Sequence, residues 1–159
     1  MNIFATYECY QMSARYLDNK RVVKMILEST QLLSTAIFLN NGNNPYLPNH
    51  IKHPCTIWTA KTKSNFLWLL DHLFYLNKEY EYRYENKHKC FELFDILHKE
   101  MNCIPNGPLT TFANCTRNIK QNIDFRNIED VHLAYRMYLH ARWEFDKITP
   151  YCSISMKQS

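Results

Sequence analysis

Apolar residues recur three and four positions apart along most of the chain, which is the spacing of one face of an α-helix. The pattern predicts four helices: from residue 12 or 13 to about 39, over 56–84, from about 88 to 100, and from about 127 to 145. The second is long enough that a break inside it is expected. Asp130 is expected to cap the fourth. No β-hairpin and no internal repeat is predicted.

Two stretches between these helices lack periodicity and are predicted to be loops. Residues 43–52 follow Asn40-Asn41-Gly42, which supplies the left-handed residue that commonly ends a helix. Pro54 then suits the first position of a helix, because its missing N–H costs nothing there. Residues 109–127 follow a proline-rich turn and are expected to lie over the bundle. The prediction is a single all-α domain over residues 1–159, with about four helices and two long irregular loops.

The composition excludes the common nucleotide-cofactor enzymes. The chain has 159 residues, of which 46% are hydrophobic, enough to bury one core. Its two glycines, Gly42 and Gly107, lie far apart, so neither a phosphate-binding loop nor a dinucleotide fingerprint can form. The net charge of +4 tolerates a polyanionic partner without requiring one.

Cysteine usage and hydropathy predict where the protein resides. The six cysteines include no C-x-x-C pair, and the sequence predicts no signal peptide and no apolar run of about 18 residues. Dispersed thiols in an unexported chain indicate reduced residues in a cytoplasm. A cytoplasmic protein without a membrane partner is expected, and its oligomeric state is left open.

A narrow polar stripe on the first helix is the most informative feature. Helical spacing places on one face, between mostly apolar flanks, the residues Arg21, Lys24, Glu28, Gln31 and Thr35. One interpretation is a solvated face with a Lys24–Glu28 ion pair. The other is a cleft wall that carries an amine and a carboxylate. We predict the cleft, with Glu28 catalytic and Lys24 electrostatic.

The loop before Pro54 is a candidate phosphate site. His50, Lys52 and His53 lead into a predicted helix N-terminus, which favours anions. The alternative is a zinc site with Cys55 and a further ligand such as His88 or Cys90. Neither the zinc-finger spacing nor the H-E-x-x-H spacing is present, so phosphate contact is predicted and no metal is expected.

Other basic, aromatic and amide residues are candidates for nucleic-acid contact, because aromatic rings stack on bases and cations hold phosphates. The alternative is structural, with half-buried rings and satisfied loop carbonyls. The candidates besides the loop are Lys20, Arg21, Arg83, Asn114, Tyr135 and Arg136. At the chain start, Ile3 and Phe4 predict a packed segment that fixes the α-amine of Met1, a third catalytic candidate.

Several sequence blocks spread over nearly the whole chain form a recognisable set. They are Met1-Asn2-Ile3-Phe4, residues 17–28 (LDNKRVVKMILE), 53–58 (HPCTIW), 65–69, 82–84, 109–113 and 134–136. The set resembles a group of phage and bacterial proteins commonly assigned to the pyrimidine-dimer DNA glycosylases of the phage endonuclease V type.

The resemblance implies a small all-α DNA-repair enzyme, a glycosylase and abasic-site lyase without cofactor or metal. In that family the N-terminal α-amine attacks the sugar of the damaged nucleotide and forms an imine, assisted by a glutamate on the first long helix. An α-amine generally loses its proton more readily than a lysine amine, which suits this role. Glu28 corresponds to the glutamate by its helix and stripe.

The second residue departs from the family pattern. The family has a small residue there, so that the initiator methionine is removed and a threonine amine is exposed. Asn2 is too large for ready removal of Met1. The nucleophile is then the amine of Met1 or a lysine, unless the group performs no such reaction.

Three hypotheses follow. The leading one is a glycosylase that flips a nucleotide into a cleft beside the first helix, in a bacterial or phage-infected cell. The second is a protein that binds or modifies a nucleotide or nucleoside, and the third is a non-catalytic phage protein that docks on a host protein. Salt-dependent binding to duplex DNA favours the first, and binding of free nucleotides alone favours the second.

Overall fold

Six α-helices make up most of the structure, a computed structural model that describes residues 1–151. They are α1 (Tyr10–Tyr16), α2 (Asn19–Leu39), α3 (Pro54–Lys61), α4 (Lys63–Tyr84), α5 (Phe94–Lys99) and α6 (Val131–Asp146). Short 3₁₀ turns at Lys89–Leu93 and Glu100–Cys103 flank α5. Two antiparallel two-residue strands, β1 (Arg117–Asn118) and β2 (Ile123–Asp124), interrupt the long loop before α6.

The helical class is confirmed, but the predicted count of about four is wrong. The predicted first helix is two, because the backbone is extended at Leu17 and Asp18 and α2 starts anew at Asn19. The break expected inside residues 56–84 is confirmed and lies at Thr62, whose side chain caps α4. The small sheet was not predicted, since strands of two residues carry no readable alternation.

The helix expected from about 88 to 100 is wrong in extent, because only Phe94–Lys99 is α-helical and 3₁₀ turns occupy both ends of the segment. The other boundary predictions are mostly confirmed. Residues 43–52 form a loop, Asn41 adopts the left-handed conformation before it, and Pro54 opens α3. The last helix begins at Val131 and not at 127, because Asp130 is itself the N-cap and accepts the N–H groups of His132 and Leu133.

The core lies between α2 and α4, with α3 packed against both of them and α1 packed against α4. Fully buried side chains at helical spacing fill this interface, among them Ile26, Leu33, Ile37, Phe66, Leu69, Leu73 and Leu76. By length and composition alone α2 is apolar enough to span a membrane, which corrects the expectation that no such run exists. However, 61% of its most apolar window is buried inside the protein, as in the core helix of a globular domain.

The first residues of the chain belong to the core, as predicted. Ile3, Phe4 and Ala5 are at most 5% exposed. The Phe4 ring stacks on Tyr138 at 6.1 Å between centroids and meets the edge of Tyr135 at 6.3 Å. Phe4 also has φ 55°, a left-handed conformation that a large side chain rarely adopts. Tertiary packing therefore dictates the path of this segment.

We predict that His72 on α4 makes stability depend on pH. Burial lowers the pKa of His72 to about 4, while Nδ1 donates to the Tyr10 carbonyl at 2.9 Å. Only the unfolded chain binds this proton between pH 6.5 and 4, so stability is complete above pH 6.5 and falls by about 3 kcal/mol as the pH drops to 4. Denaturant melts across this range measure it. The His72→Gln variant keeps a donor without the titration and should lose this part of the slope; an unchanged slope would contradict the assignment.

Candidate functional site

A cleft of about 710 Å³ opens where the N-terminal segment, α2, the start of α3 and the end of α6 meet. Its wall contains all three residues predicted to be catalytic. The lining residues are Met1, Asn2, Phe4, Lys20, Arg21, Lys24, Met25, Glu28, His53, Pro54, Asn114, Cys115, Arg117, Arg126, Tyr138, Arg142, Asp146 and Ile148. The part of the polar stripe formed by Arg21, Lys24 and Glu28 therefore lines a cleft, whereas Gln31 and Thr35 lie outside its lining.

A buried carboxylate fixes the helix that carries this stripe. Asp18 is fully buried and caps α2 by accepting the backbone N–H of Arg21 at 3.0 Å. Its Oδ2 accepts from the Arg21 guanidinium at 2.9 Å and from the Trp143 indole N–H at 2.7 Å. Burial alone would raise the pKa of Asp18, but the hydrogen bonds from Trp143 and Arg21 outweigh it and lower the pKa. Asp18 thus stays ionised and joins α2 to α6.

Arg21 is held from two sides. Besides the ion pair with Asp18, its Nη2 lies 3.4 Å from Asp146 Oδ2 at the end of α6. Its side chain is only 8% exposed. Two carboxylates therefore compensate the charge of Arg21, which connects the start of α2 to the end of α6 beneath the cleft.

Glu28 lies against the start of the chain. Its Oε2 accepts the backbone N–H of Asn2 at 3.2 Å, and its Oε1 lies 4.0 Å from the α-amine of Met1. Lys24 Nζ is 3.6 Å from the same Oε1. The Glu28 side chain is 12% exposed, whereas that of Lys24 is 64% exposed. A sheltered carboxylate thus contacts two amines, one fixed in the wall and one at the rim.

The Asn2 side chain locks this arrangement. Its Oδ1 accepts the N–H groups of Ile3 at 2.8 Å and Phe4 at 3.2 Å. Its Nδ2 donates to the carbonyl of Cys115 at 3.1 Å. Asn2, whose size departs from the family pattern, therefore ties the N-terminus to the opposite cleft wall. This leaves the position of the α-amine little freedom.

The histidine loop reaches the cleft through one residue. Reciprocal hydrogen bonds between Thr35 and the backbone of Asn49 hold the loop on α2. His53 lines the cleft and caps α3, its Nδ1 accepting the N–H of Cys55 at 3.1 Å. Burial lowers the pKa of His53, and the nearby N-terminal amine and His50 lower it further. His50 and Lys52 are exposed and do not line the cleft.

The structure gathers a different ligand set from the zinc alternative considered for the sequence. His53, Cys55 and Cys115 place their donor atoms within 4.8 Å of one another, with the two sulfurs 3.6 Å apart. His88 caps its own 3₁₀ turn by accepting the N–H of Cys90, and neither is part of this group. Because His53 Nδ1 already accepts an N–H, that nitrogen is occupied in the arrangement seen.

The remaining predicted contact residues fall into two groups. Lys20 and Asn114 line the cleft. Arg83 is buried by Glu79 and the carbonyls of Leu17 and Arg15, and lies outside the cleft lining. The hydroxyl of Tyr135 bonds Ala113 and Cys115 behind the wall, and Arg136 donates to the Thr6 carbonyl. The nucleic-acid role of all five stays a prediction.

Two arginines of the cleft lining, Arg117 and Arg126, were not among the predicted site residues. Arg117 and Arg126 flank the small sheet and share Asp124, at 3.9 and 2.7 Å. Hydrogen bonding from Arg126 lowers the pKa of Asp124 to about 2. Arg142 on α6 contacts Asp146 and the Tyr138 hydroxyl. Together with Lys20, Arg21 and Lys24, these arginines give the lining a clear excess of positive charge over its two carboxylates.

Fold and site together define a class: a small helical protein with a basic cleft into which an N-terminal amine and a sheltered glutamate are built. A family model described as pyrimidine dimer DNA glycosylase matches residues 1–92. These residues are more than half of the chain, and the protein belongs to this family. The family is one of DNA-repair glycosylases and implies DNA as the substrate.

The match covers α1 to α4 and hence Met1, Lys24, Glu28 and His53, but not the cleft wall contributed by residues 114–148. Comparison with curated proteins gave no match, and comparison with solved structures gave none.

We predict that Asp18→Asn destabilises the protein by about 3 kcal/mol, because asparagine still caps a helix but leaves the buried Arg21 charge without its closest partner. Chemical denaturation measures the change. The matched control is Asp130→Asn, which alters the exposed N-cap of α6 and should leave the free energy of unfolding nearly unchanged. Equal losses in both variants would show that capping, and not the buried charge, is what matters.

Proposed function

We propose that the protein is a DNA glycosylase and abasic-site lyase whose nucleophile is the α-amine of Met1, acting on DNA in a bacterial or phage-infected cytoplasm. The supporting observation is the position of Glu28, which accepts the Asn2 N–H at 3.2 Å and lies 4.0 Å from the Met1 nitrogen. A carboxylate in this position both orients an amine and can accept its proton.

In the proposed reaction the neutral Met1 amine attacks C1′ of the damaged nucleotide. The C1′–N bond to the base breaks, and the base leaves with the bonding electrons. Glu28 accepts the proton that the amine loses and passes it to the ring oxygen O4′. The C1′–O4′ bond breaks as the nitrogen lone pair forms a protonated imine between Met1 and C1′. Removal of a C2′ proton then expels the 3′ phosphate. The nucleotide must leave the helix to reach this cleft.

The exposed cations of the rim would hold the DNA backbone. Lys20, Lys24, Arg117 and Arg126 carry flexible, solvent-facing charges around the opening, which suits contact with phosphates. Arg21 is buried and paired twice, so its contribution would be to structure. Lys24, although closest to Glu28 among the lysines, would act by its charge.

Borohydride trapping on abasic DNA tests the nucleophile directly. Reduction of the imine should join one DNA strand to the protein, and peptide mapping should place the adduct on the N-terminal peptide that begins with Met1. An adduct on Lys24, or no adduct in a protein that binds the DNA, would overturn the assignment. Binding of free nucleotides without duplex binding would favour the nucleotide-binding hypothesis instead.

We predict that Glu28→Gln keeps the fold and lowers the single-turnover rate by about 10²–10⁴, because the amide cannot accept the proton of the amine. Glu144→Gln, on an exposed part of α6, is the matched control and should react at the wild-type rate. Rates within a few-fold of wild type for Glu28→Gln would exclude a catalytic role for this carboxylate.

Lys24→Met separates binding from chemistry. We predict that the variant still forms the trapped adduct at saturating DNA, but binds DNA more weakly and with a salt dependence of log K reduced by about 1, because one phosphate contact is lost. Titrations between about 50 and 200 mM salt measure it. Lys99→Met removes an exposed lysine outside the cleft and should leave both quantities unchanged. Loss of the adduct would identify Lys24 as the nucleophile.

A further inference from the structure

Two cysteines from distant parts of the sequence meet in the cleft wall. The thiol of Cys55, in the first turn of α3, donates to the sulfur of Cys115 at 3.6 Å. Cys55 is fully buried, whereas Cys115 is half-buried and lines the cleft. The proposed reaction uses neither sulfur.

The surroundings give the two thiols different reactivities. The hydrogen bond from Cys55 lowers the pKa of Cys115 against the effect of burial, and the Tyr135 hydroxyl and the N-terminal amine act in the same direction. The same contact, together with burial, raises the pKa of Cys55. Cys115 is thus the nucleophilic and accessible partner, and Cys55 is the sheltered one.

We propose that Cys55 and Cys115 form a redox-active dithiol that a small peroxide converts to a disulfide across the wall of the cleft. The sulfur of Cys115 attacks one peroxide oxygen, the O–O bond breaks, and water leaves as Cys115 becomes a sulfenic acid. The sulfur of Cys55 then attacks the Cys115 sulfur, the S–O bond breaks, and the departing hydroxide takes the Cys55 proton as a second water. The two thiols lose two electrons, and the peroxide gains them.

Oxidation would reach the N-terminus through the Cys115 backbone. A disulfide needs its sulfurs about 2.05 Å apart, so the present 3.6 Å must shrink through rotation of the two side chains, and in our proposal also through movement of the wall segments that carry them. The Cys115 carbonyl accepts from Asn2, whose own N–H bonds Glu28. A shift at Cys115 therefore displaces the α-amine relative to Glu28. This consequence for catalysis rests on the proposed function, whereas the thiol chemistry does not.

The test treats the full-length protein with hydrogen peroxide and maps its peptides without reduction. We expect one dominant cross-linked pair, Cys55 with Cys115, reversed by dithiothreitol. In Cys55→Ser, Cys115 should stop at the sulfenic acid and be captured by dimedone, and in Cys115→Ser the buried Cys55 should stay a thiol. Cys9→Ser, at an exposed free cysteine, is the control and should form the cross-link as wild type does.

Mapping of the wild-type chain decides the proposal even if a variant fails to fold. Other pairings, or two unreacted thiols after peroxide treatment, would overturn it. Stoichiometric zinc that protects both thiols would also overturn it and make the His53–Cys55–Cys115 group a metal site. The proposed effect of the disulfide on catalysis is tested separately: imine trapping should fall by on the order of 10²-fold on oxidation and recover on reduction. Unchanged trapping in the disulfide form would refute the coupling, whereas no trapping in the reduced protein would refute the proposed function instead.

Discussion

A buried negative charge at Asp18 organises the molecule. A buried carboxylate is costly unless it is paired and hydrogen-bonded, and here the N-cap amide, a guanidinium and an indole donate three hydrogen bonds to it. Satisfying this group starts α2 at a defined residue, holds Arg21 down and draws Trp143 of α6 against the helix start. The rotation of α2 about its axis follows, and with it the direction in which Lys24 and Glu28 point.

The sequence alone predicted most of the helices and the presence of Glu28 in a cleft wall, because both follow from the spacing of nearby residues. The apolar periodicity of α2 and α4 is strong, and a polar stripe on an otherwise apolar helix is visible without coordinates. The break at Leu17 and Asp18 was missed because the buried Leu17 continues the apolar pattern through residues that are not helical. The apolar periodicity reflects which side chains are buried, and a side chain such as that of Leu17 can stay buried where the helical hydrogen bonds end.

The rest of the site depends on contacts that no local pattern encodes. Asn2 bonds a carbonyl 113 positions away, and Cys55 meets Cys115 over 60 positions. Arg117 and Arg126 belong to a stretch without regular spacing, where a small sheet turns them toward the cleft. The contacts of Arg83 depend on sequence separation in the same way, since its guanidinium donates to the carbonyls of Leu17 and Arg15, 66 and 68 positions away.

The left-handed backbone at Phe4 has a consequence for handling the protein. Phe4 and the hydrogen bonds of the Asn2 side chain fix the path of the chain, so the α-amine of Met1 has little freedom to move relative to Glu28. Any extension fused ahead of Met1 would turn the amine into a peptide nitrogen, which is not nucleophilic. The added residues would also have to leave through the cleft that Met1 lines. Affinity tags therefore belong at the other end of the polypeptide, because under the proposed mechanism an N-terminally fused preparation lacks the amine that would react.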